Sequence, residues 1–379
     1  MIASARFGVL FVWLAVAAAP FASAAPQVSW QATVDQAIKP LVDTQKIMGA
    51  VVGVLPRDGQ REYFYYGKTK VDGPAPTSDT LFEIGSVTKT FTALLLALAV
   101  EHGDVQLDDP VRGLLPHDWS MPRRGQREIT LVELATHTSG LPENPPNLVR
   151  ALFRDPKVQL DPFSRFDRGQ LAECLAEVKL KDLDRPPVSY SNLGMGLLGE
   201  ALADKAGKSY DELIRAQIAE PLKMDNTFVT PSDAQNEKTA TGHVVEHGPV
   251  PCWTFATLAG CGAIRSSAVD MLTYLEAQSG RIDTPLSKAM QVTQEPRFPA
   301  FVVMRIGLAW LVQDAAGKRF WWHNGGTNGF STYAAFCREP GVAVIVLCNS
   351  GPDGVGNRID MVGQKLMQAL IKDGKAAAK

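Results

Sequence analysis

The sequence predicts an α+β fold whose sheet is supplied by both ends of the chain, with a helical lobe inserted between the two parts. Three observations carry this. Strand-like runs stand near the start of the folded region and again after Cys261. A helix that starts at Ser86 and runs to His102, mostly apolar after Lys89, follows the first strands. From Asp108 to about Asp233, Pro- and Gly-rich loops separate short helical segments.

The chain has 379 residues, 45% hydrophobic and 21% charged, with a formal net charge of −2. That is an ordinary globular balance, and no stretch is basic enough to suggest a nucleic-acid partner. The first element is a leader. Arg6 gives a positive start, Phe7 to Ala19 is apolar, and Ala22-Ser23-Ala24 offers the small-x-small pattern of a cleavage site. Residues 1–24 are therefore expected to be a signal peptide, with residues 25–379 as the mature, periplasmic or secreted catalytic domain. The apolar run is short for a membrane span, and no stable span is expected after cleavage.

Trp30 to Lys46 is expected to be helical, followed by strands Gly49–Leu55 and Arg61–Tyr66 joined at Arg57-Asp58-Gly59. The next helix opens at Ser86, is apolar on most sides after Lys89, and stops at Gly103. Helical segments in the inserted region fall at Leu131–His137, Gly169–Glu177, Gly194–Lys205 and Ser209–Ile218. Strands return at Ile306–Gln313, Arg319–His323, Ser331–Cys337 and Val342–Asn349, the last two forming a hairpin around Glu339-Pro340-Gly341. An amphipathic helix from about Asn357 to Lys372 closes the fold, leaving a frayed tail. The lobes divide at about 28–104 with 258–373 (sheet) and 105–257 (helices).

Chemistry concentrates in three places. Ser86-Val87-Thr88-Lys89 sets a hydroxyl and an amine three residues apart, on one face of a helix. A serine becomes a good nucleophile when a neighbouring base takes its proton, and lysine is such a base where burial or other cations favour its neutral form. Alone, S-x-x-K reads equally as a capped helix with a solvated lysine. About a hundred residues later, Tyr190-Ser191-Asn192 offers a phenol to relay protons and an amide to hold a substrate carbonyl; alone, it is a packed tyrosine and a turn. His323-Asn324-Gly325-Gly326 ends a strand with glycines that let backbone approach a ligand, or simply make a hairpin. In the run Thr130–Pro142, His137 reads as a structural histidine bonded to backbone.

Two other patterns carry less. His243-Val244-Val245-Glu246-His247 has the spacing of a zinc-protease motif, but its Thr-Gly and Gly-Pro-Val-Pro flanks argue against the helix that motif needs. Gly260-Cys261-Gly262 lacks the third glycine of a dinucleotide loop. No metal or cofactor is expected. Of the five cysteines, Cys174, Cys252, Cys261, Cys337 and Cys348, export permits pairing, and Cys252 with Cys261 is the pair to expect.

In this order, Ser86-x-x-Lys89, Tyr190-x-Asn192 and His323-x-Gly325 resemble the motifs of the class C β-lactamase superfamily, which also holds D-alanyl-D-alanine carboxypeptidases, D-aminopeptidases and esterases. The resemblance runs from about Gly49 to Leu370 and includes Leu107-Asp108-Asp109-Pro110, Thr130–Pro142 and Gly326–Phe336. It implies a β-lactamase/transpeptidase-like α/β sandwich, an antiparallel sheet flanked by helices with the site between the lobes. It implies Ser86 as the acylated residue, Lys89 and Tyr190 as shared bases, Asn192 as a substrate contact, and the N–H groups of Ser86 and Gly326 as an oxyanion hole. Asn144 would be a further substrate-binding amide, and Arg358 a weaker candidate for a carboxylate. Where dedicated β-lactamases carry Lys-Thr-Gly, this chain has His323-Asn324-Gly325, exchanging a permanent cation for a group often neutral at pH 7. The expected function is a serine acyl-transfer hydrolase of β-lactams or D-Ala-D-Ala-type cell-wall peptides. The alternatives are a carboxylesterase and a β-lactam sensor without turnover.

Overall fold

The computed structural model describes residues 29–376, apart from 58, 185, 245–247, 302 and 353–357. The expected leader, Asp58, His247 and Asn357 lie outside the described residues.

Eight strands form one sheet: β1 (Gly49–Leu55), β2 (Glu62–Gly67), β3 (Phe298–Phe301), β4 (Met304–Ile306), β5 (Leu311–Ala315), β6 (Lys318–Gly326), β7 (Ser331–Cys337) and β8 (Val342–Cys348). Their order is β2-β1-β8-β7-β6-β5-β4-β3, and every pairing is antiparallel. The N-terminal hairpin β1–β2 thus joins the C-terminal strands through β1 and β8, with Val52 opposite Val346.

Both faces of the sheet are covered, which is why β1, β7 and β8 are apolar at nearly every position and buried throughout. On one face, Ala50, Val52, Val344 and Val346 pack against Val34 and Ile38 of α1 (Gln31–Asp43) and against Leu366 and Leu370 of a C-terminal helix, Arg358–Ala376. That helix extends beyond the expected stop at Lys372. On the other face, Val51, Ile345 and Leu347 join a second core. This core includes α2 (Thr88–His102), which is buried at every position from Thr88 to Leu98 and ends on Gly103 at φ +79°. It continues through Leu131 and Leu134 of α3 (Leu131–Ala135), Leu197 and Leu198 of α4 (Asn192–Ala206), and Met271 and Leu272 of α5 (Ala268–Ser279).

Three expectations are corrected. The single strand Ile306–Gln313 is two, β4 and β5. Between them Ala309 has φ +63°, and a side chain at Gly307 would sit 2.4 Å from the Thr293 carbonyl oxygen. The helix begins at Thr88 rather than Ser86, because Gly85 at φ +48° starts a 3₁₀ turn, Gly85–Val87. The pairing of Cys252 with Cys261 is not made, and both thiols are free. Their surroundings differ: Cys252 lies beside the Glu83 carboxylate, whereas Cys261 is buried near Lys89, and burial pushes its thiol up to about 11.

Candidate active site

Ser86 sits on the 3₁₀ turn and Lys89 in the first turn of α2, so their spacing points both side chains the same way. Lys89 is fully buried. Its Nζ lies within hydrogen-bonding distance of three neutral oxygens: Ser86 Oγ at 2.9 Å, Asn192 Oδ1 at 2.8 Å and the Cys261 carbonyl at 2.6 Å. It also stands 4.7 Å from the centre of the Tyr190 ring. This satisfies the amine without a fixed counter-charge and leaves it in contact with the hydroxyl, an arrangement able to take and return a proton.

Tyr190 and Asn192 are held by the start of α4. Ser191 caps the helix, accepting from Gly194 N–H at 2.9 Å and donating to the Pro142 carbonyl at 2.7 Å. The Asn192 amide donates to Asn144 Oδ1 at 2.9 Å, so Asn144 belongs to the same cluster. Tyr190 is 37% exposed and stacks obliquely on His137, with ring centroids 4.6 Å apart.

His137 is structural, as read from sequence, but it also lines the cleft. At φ +58° its carbonyl accepts from Ser189 N–H, and its Nδ1 accepts from Ser191 N–H at 3.1 Å. That bond places its proton on Nε2. Burial, then the Lys89 and His323 charges, hold His137 well below the ordinary histidine value.

β6 runs past Ser86 and is longer than the sequence suggested, carrying His323, Asn324, Gly325 and Gly326 inside the ladder. A side chain at Gly325 would lie 2.0 Å from the Ile84 carbonyl oxygen and 3.1 Å from Ser86 N, so only glycine permits this approach. Thr327 N–H bonds to Phe330 O, which makes Gly326 opposite Ser331 a non-hydrogen-bonded pair. The Gly326 N–H therefore turns away from β7. It faces the Gly85 turn, lying 2.7 Å from where a Gly85 side chain would begin. The backbones of the Ser86 turn and of Gly325-Gly326 therefore lie against one another.

His323 is buried, and its Nδ1 lies 2.5 Å from the Asn324 carbonyl oxygen, which fixes the proton there. Burial, then the Lys89 charge, push it down to about 3, so it is neutral at pH 7. The Asn324 amide is tied back to Asp360 Oδ2 at 2.7 Å. Burial raises the Asp360 carboxyl to about 6. Arg358 does not line the Ser86 clefts; it borders a separate small cleft with Lys46, Ile47 and Ser350. His243 lies on a short strand, Gly242–Val244, not on a helix. Among the described residues no group of three or more His, Cys, Asp or Glu could hold a metal ion.

Two clefts meet at Ser86. One contains Tyr190, His137, His323 and Asn324; the other contains Asn144, Asn192, Phe163 and Trp253. The Phe163 ring stacks on Phe255 at 4.7 Å and meets Trp253 edge-on at 5.6 Å. Glu83 braces this wall: its carboxylate accepts from Trp253 N–H at 2.6 Å and from Thr327 Oγ1 at 2.7 Å. Burial raises it to about 7. Sequence reading missed the Cys261 carbonyl, the aromatic wall and Glu83. Only Glu83, a lone charge within Leu81–Ile84, left a signal.

Comparison with known proteins gives the family. The family model described as Beta-lactamase matches residues 34–363. The chain belongs to the beta-lactamase family. It is 30% identical over 310 residues to the D-alanyl-D-alanine-carboxypeptidase/endopeptidase AmpH of Escherichia coli (strain K12), covering 77% of each chain. It is 27% identical over 357 residues to a beta-lactamase of Pseudomonas fluorescens, covering 83% of this chain and 92% of that one. Among solved structures it is similar to a class C beta lactamase from Rhodobacter sphaeroides, with TM-score 0.76 and 25% identity over 89% of this chain and 99% of that one. A beta-lactamase/D-alanine carboxypeptidase from Yersinia pestis complexed with citrate gives TM-score 0.76 and 25% identity over 90% and 99%. This beta-lactamase-family chain is a serine acyl-transfer hydrolase. No helix among its described residues is long and apolar enough to cross a membrane.

Proposed function

We propose that Ser86 is the nucleophile of this hydrolase and that its substrates are β-lactams or D-Ala-D-Ala-type cell-wall peptides. The observation that carries the proposal is the Lys89 Nζ, held between Ser86 Oγ and Asn192 Oδ1 and set against Tyr190. Ser86 Oγ bonds to the substrate carbonyl carbon while Lys89 and Tyr190 take its proton. The carbonyl oxygen is held by the Ser86 and Gly326 N–H groups, and Asn192 with Asn144 positions the acyl portion. The proton passes to the departing nitrogen or oxygen as that bond breaks, and water then hydrolyses the Ser86 ester by the reverse relay. The names of the relatives support the substrate class. The leader signature in residues 1–24 supports an exported enzyme, periplasmic or secreted.

The test uses the exported protein, with its N-terminus sequenced to check maturation near Ala25. It is incubated with a fluorescent penicillin and a chromogenic cephalosporin, wild type beside Ser86→Ala. We expect wild-type labelling or colour change that Ser86→Ala abolishes. Labelling that survives the substitution rejects Ser86. Labelling without colour change identifies a slowly deacylated peptidase-type or sensor-type acyl-enzyme, and reaction with neither shifts the substrate to simple esters.

A further inference from the structure

The two clefts at Ser86 are chemically unlike, and the proton path decides which half of the substrate each receives. The departing atom must be protonated as its bond to the carbonyl carbon breaks. Tyr190, the one relay group with an exposed face, opens into the cleft that also holds His323, whereas Asn144 and Asn192 open into the other. The departing group therefore occupies the Tyr190 cleft and the acyl group the Asn144 cleft.

The departing-group cleft has a volume of about 460 Å³. Val188, Ile306, Ala309, Leu311, Trp322 and Pro352 give it apolar walls, and no Lys or Arg lines it among the described residues. Its two imidazoles are neutral at pH 7. Its one side-chain amide, Asn324, already spends a donor on Asp360, whose carboxylate stands directly behind it. A substrate carboxylate placed here would lose water, meet no cation among the cleft's described lining residues, and face a like charge across one amide.

We propose that this site selects substrates whose departing group is uncharged and apolar: esters, and internal peptide bonds whose departing residue carries no free carboxylate. Among the substrates proposed for Ser86, bonds that release a carboxylate-bearing residue, as a terminal D-alanine is, are turned over more slowly than these. This deepens the reading of Ser86 as the nucleophile and rests on it. Acylation joins Ser86 Oγ to the acyl carbon and releases the neutral alcohol or amine with the proton from Ser86, so no other reactant than water is needed to complete turnover.

The test compares two esters with the same benzoylglycyl acyl group, one releasing phenol and the other 3-hydroxybenzoate. Each kcat/KM is divided by that ester's rate with hydroxide, to remove intrinsic reactivity. We expect the neutral ester to be favoured at least about tenfold. Asp360→Asn should shrink that ratio several-fold by improving the carboxylate ester, and His323→Lys should shrink it further. A ratio of one, or a preference for the carboxylate ester, overturns the inference while leaving the hydrolase reading intact. Turnover of neither ester by the wild type overturns the inference alone, and ester turnover that survives Ser86→Ala overturns both.

Discussion

At the scale of single residues, the site is built from groups whose charge the protein controls by burial. His323 shows the consequence for stability. Its folded value is about 3, whereas an unfolded histidine titrates near 6.5. Between those values the unfolded chain binds the proton and the folded chain does not, so the stability tied to His323 is full above pH 6.5 and lost as pH falls towards 3. His137 acts in the same direction. Glu83, Asp270 and Asp360 act oppositely, because their raised folded values let the native state bind protons first as pH falls from about 7 or 6 towards 4. The overall pH profile therefore mixes both signs, and a difference isolates one. His323→Gln should lose less stability than wild type on acidification, the gap changing by up to about 1.4 kcal/mol per pH unit between 6.5 and 3. Denaturant unfolding at several pH values measures it; parallel profiles would count against a neutral, buried His323.

At the scale of elements, the decisive contact is β6 against the Ser86 turn. Gly325→Ala puts a methyl against the Ile84 carbonyl and beside Ser86 N, both backbone atoms that cannot rotate aside. We expect a loss of about 2–4 kcal/mol in urea unfolding. Acylation should slow by about a hundredfold, because the Gly326 N–H moves off the oxyanion; unchanged acylation would refute that placement. This contact also marks where the sequence was legible and where it was not. β1, β7 and α2 could be read closely, since their apolar runs and the Gly103 stop depend on neighbours in sequence. The extension of β6 through Gly326 could not, because glycines normally weaken a strand and these are held by the approach of a distant turn. Nor could the break at Gly307–Trp310, whose cause is the Thr293 carbonyl. Ser86, Lys89, Tyr190, Asn192 and Asn144 were legible through spacing and resemblance. The Cys261 carbonyl and the Trp253 wall act through contacts between segments far apart in sequence and gave no local pattern, and Glu83 left only a lone charge in an apolar run.

At the scale of the whole molecule, one apolar core runs from Val51 and Ile345 in the sheet, through Phe91 and Leu94 in α2, to Leu134, Leu197 and Leu213 among the inserted helices. Neither region can shed its partner without exposing this core, so both should unfold together. Thermal unfolding followed by far-ultraviolet circular dichroism and by tryptophan fluorescence should give coincident curves; an early, separate helical transition would show that the core is not shared energetically. The same continuity fixes the relation of the two clefts. Tyr190 and Asn192 are two residues apart, yet one opens to the departing group and the other to the acyl group. The tripeptide Tyr190-Ser191-Asn192 is thus a partition, pinned by the Ser191 cap. One residue inserted or deleted within it would exchange the sides and deliver the proton to the half of the substrate that stays bound. The length of this boundary therefore matters to the site as much as the side chains it carries.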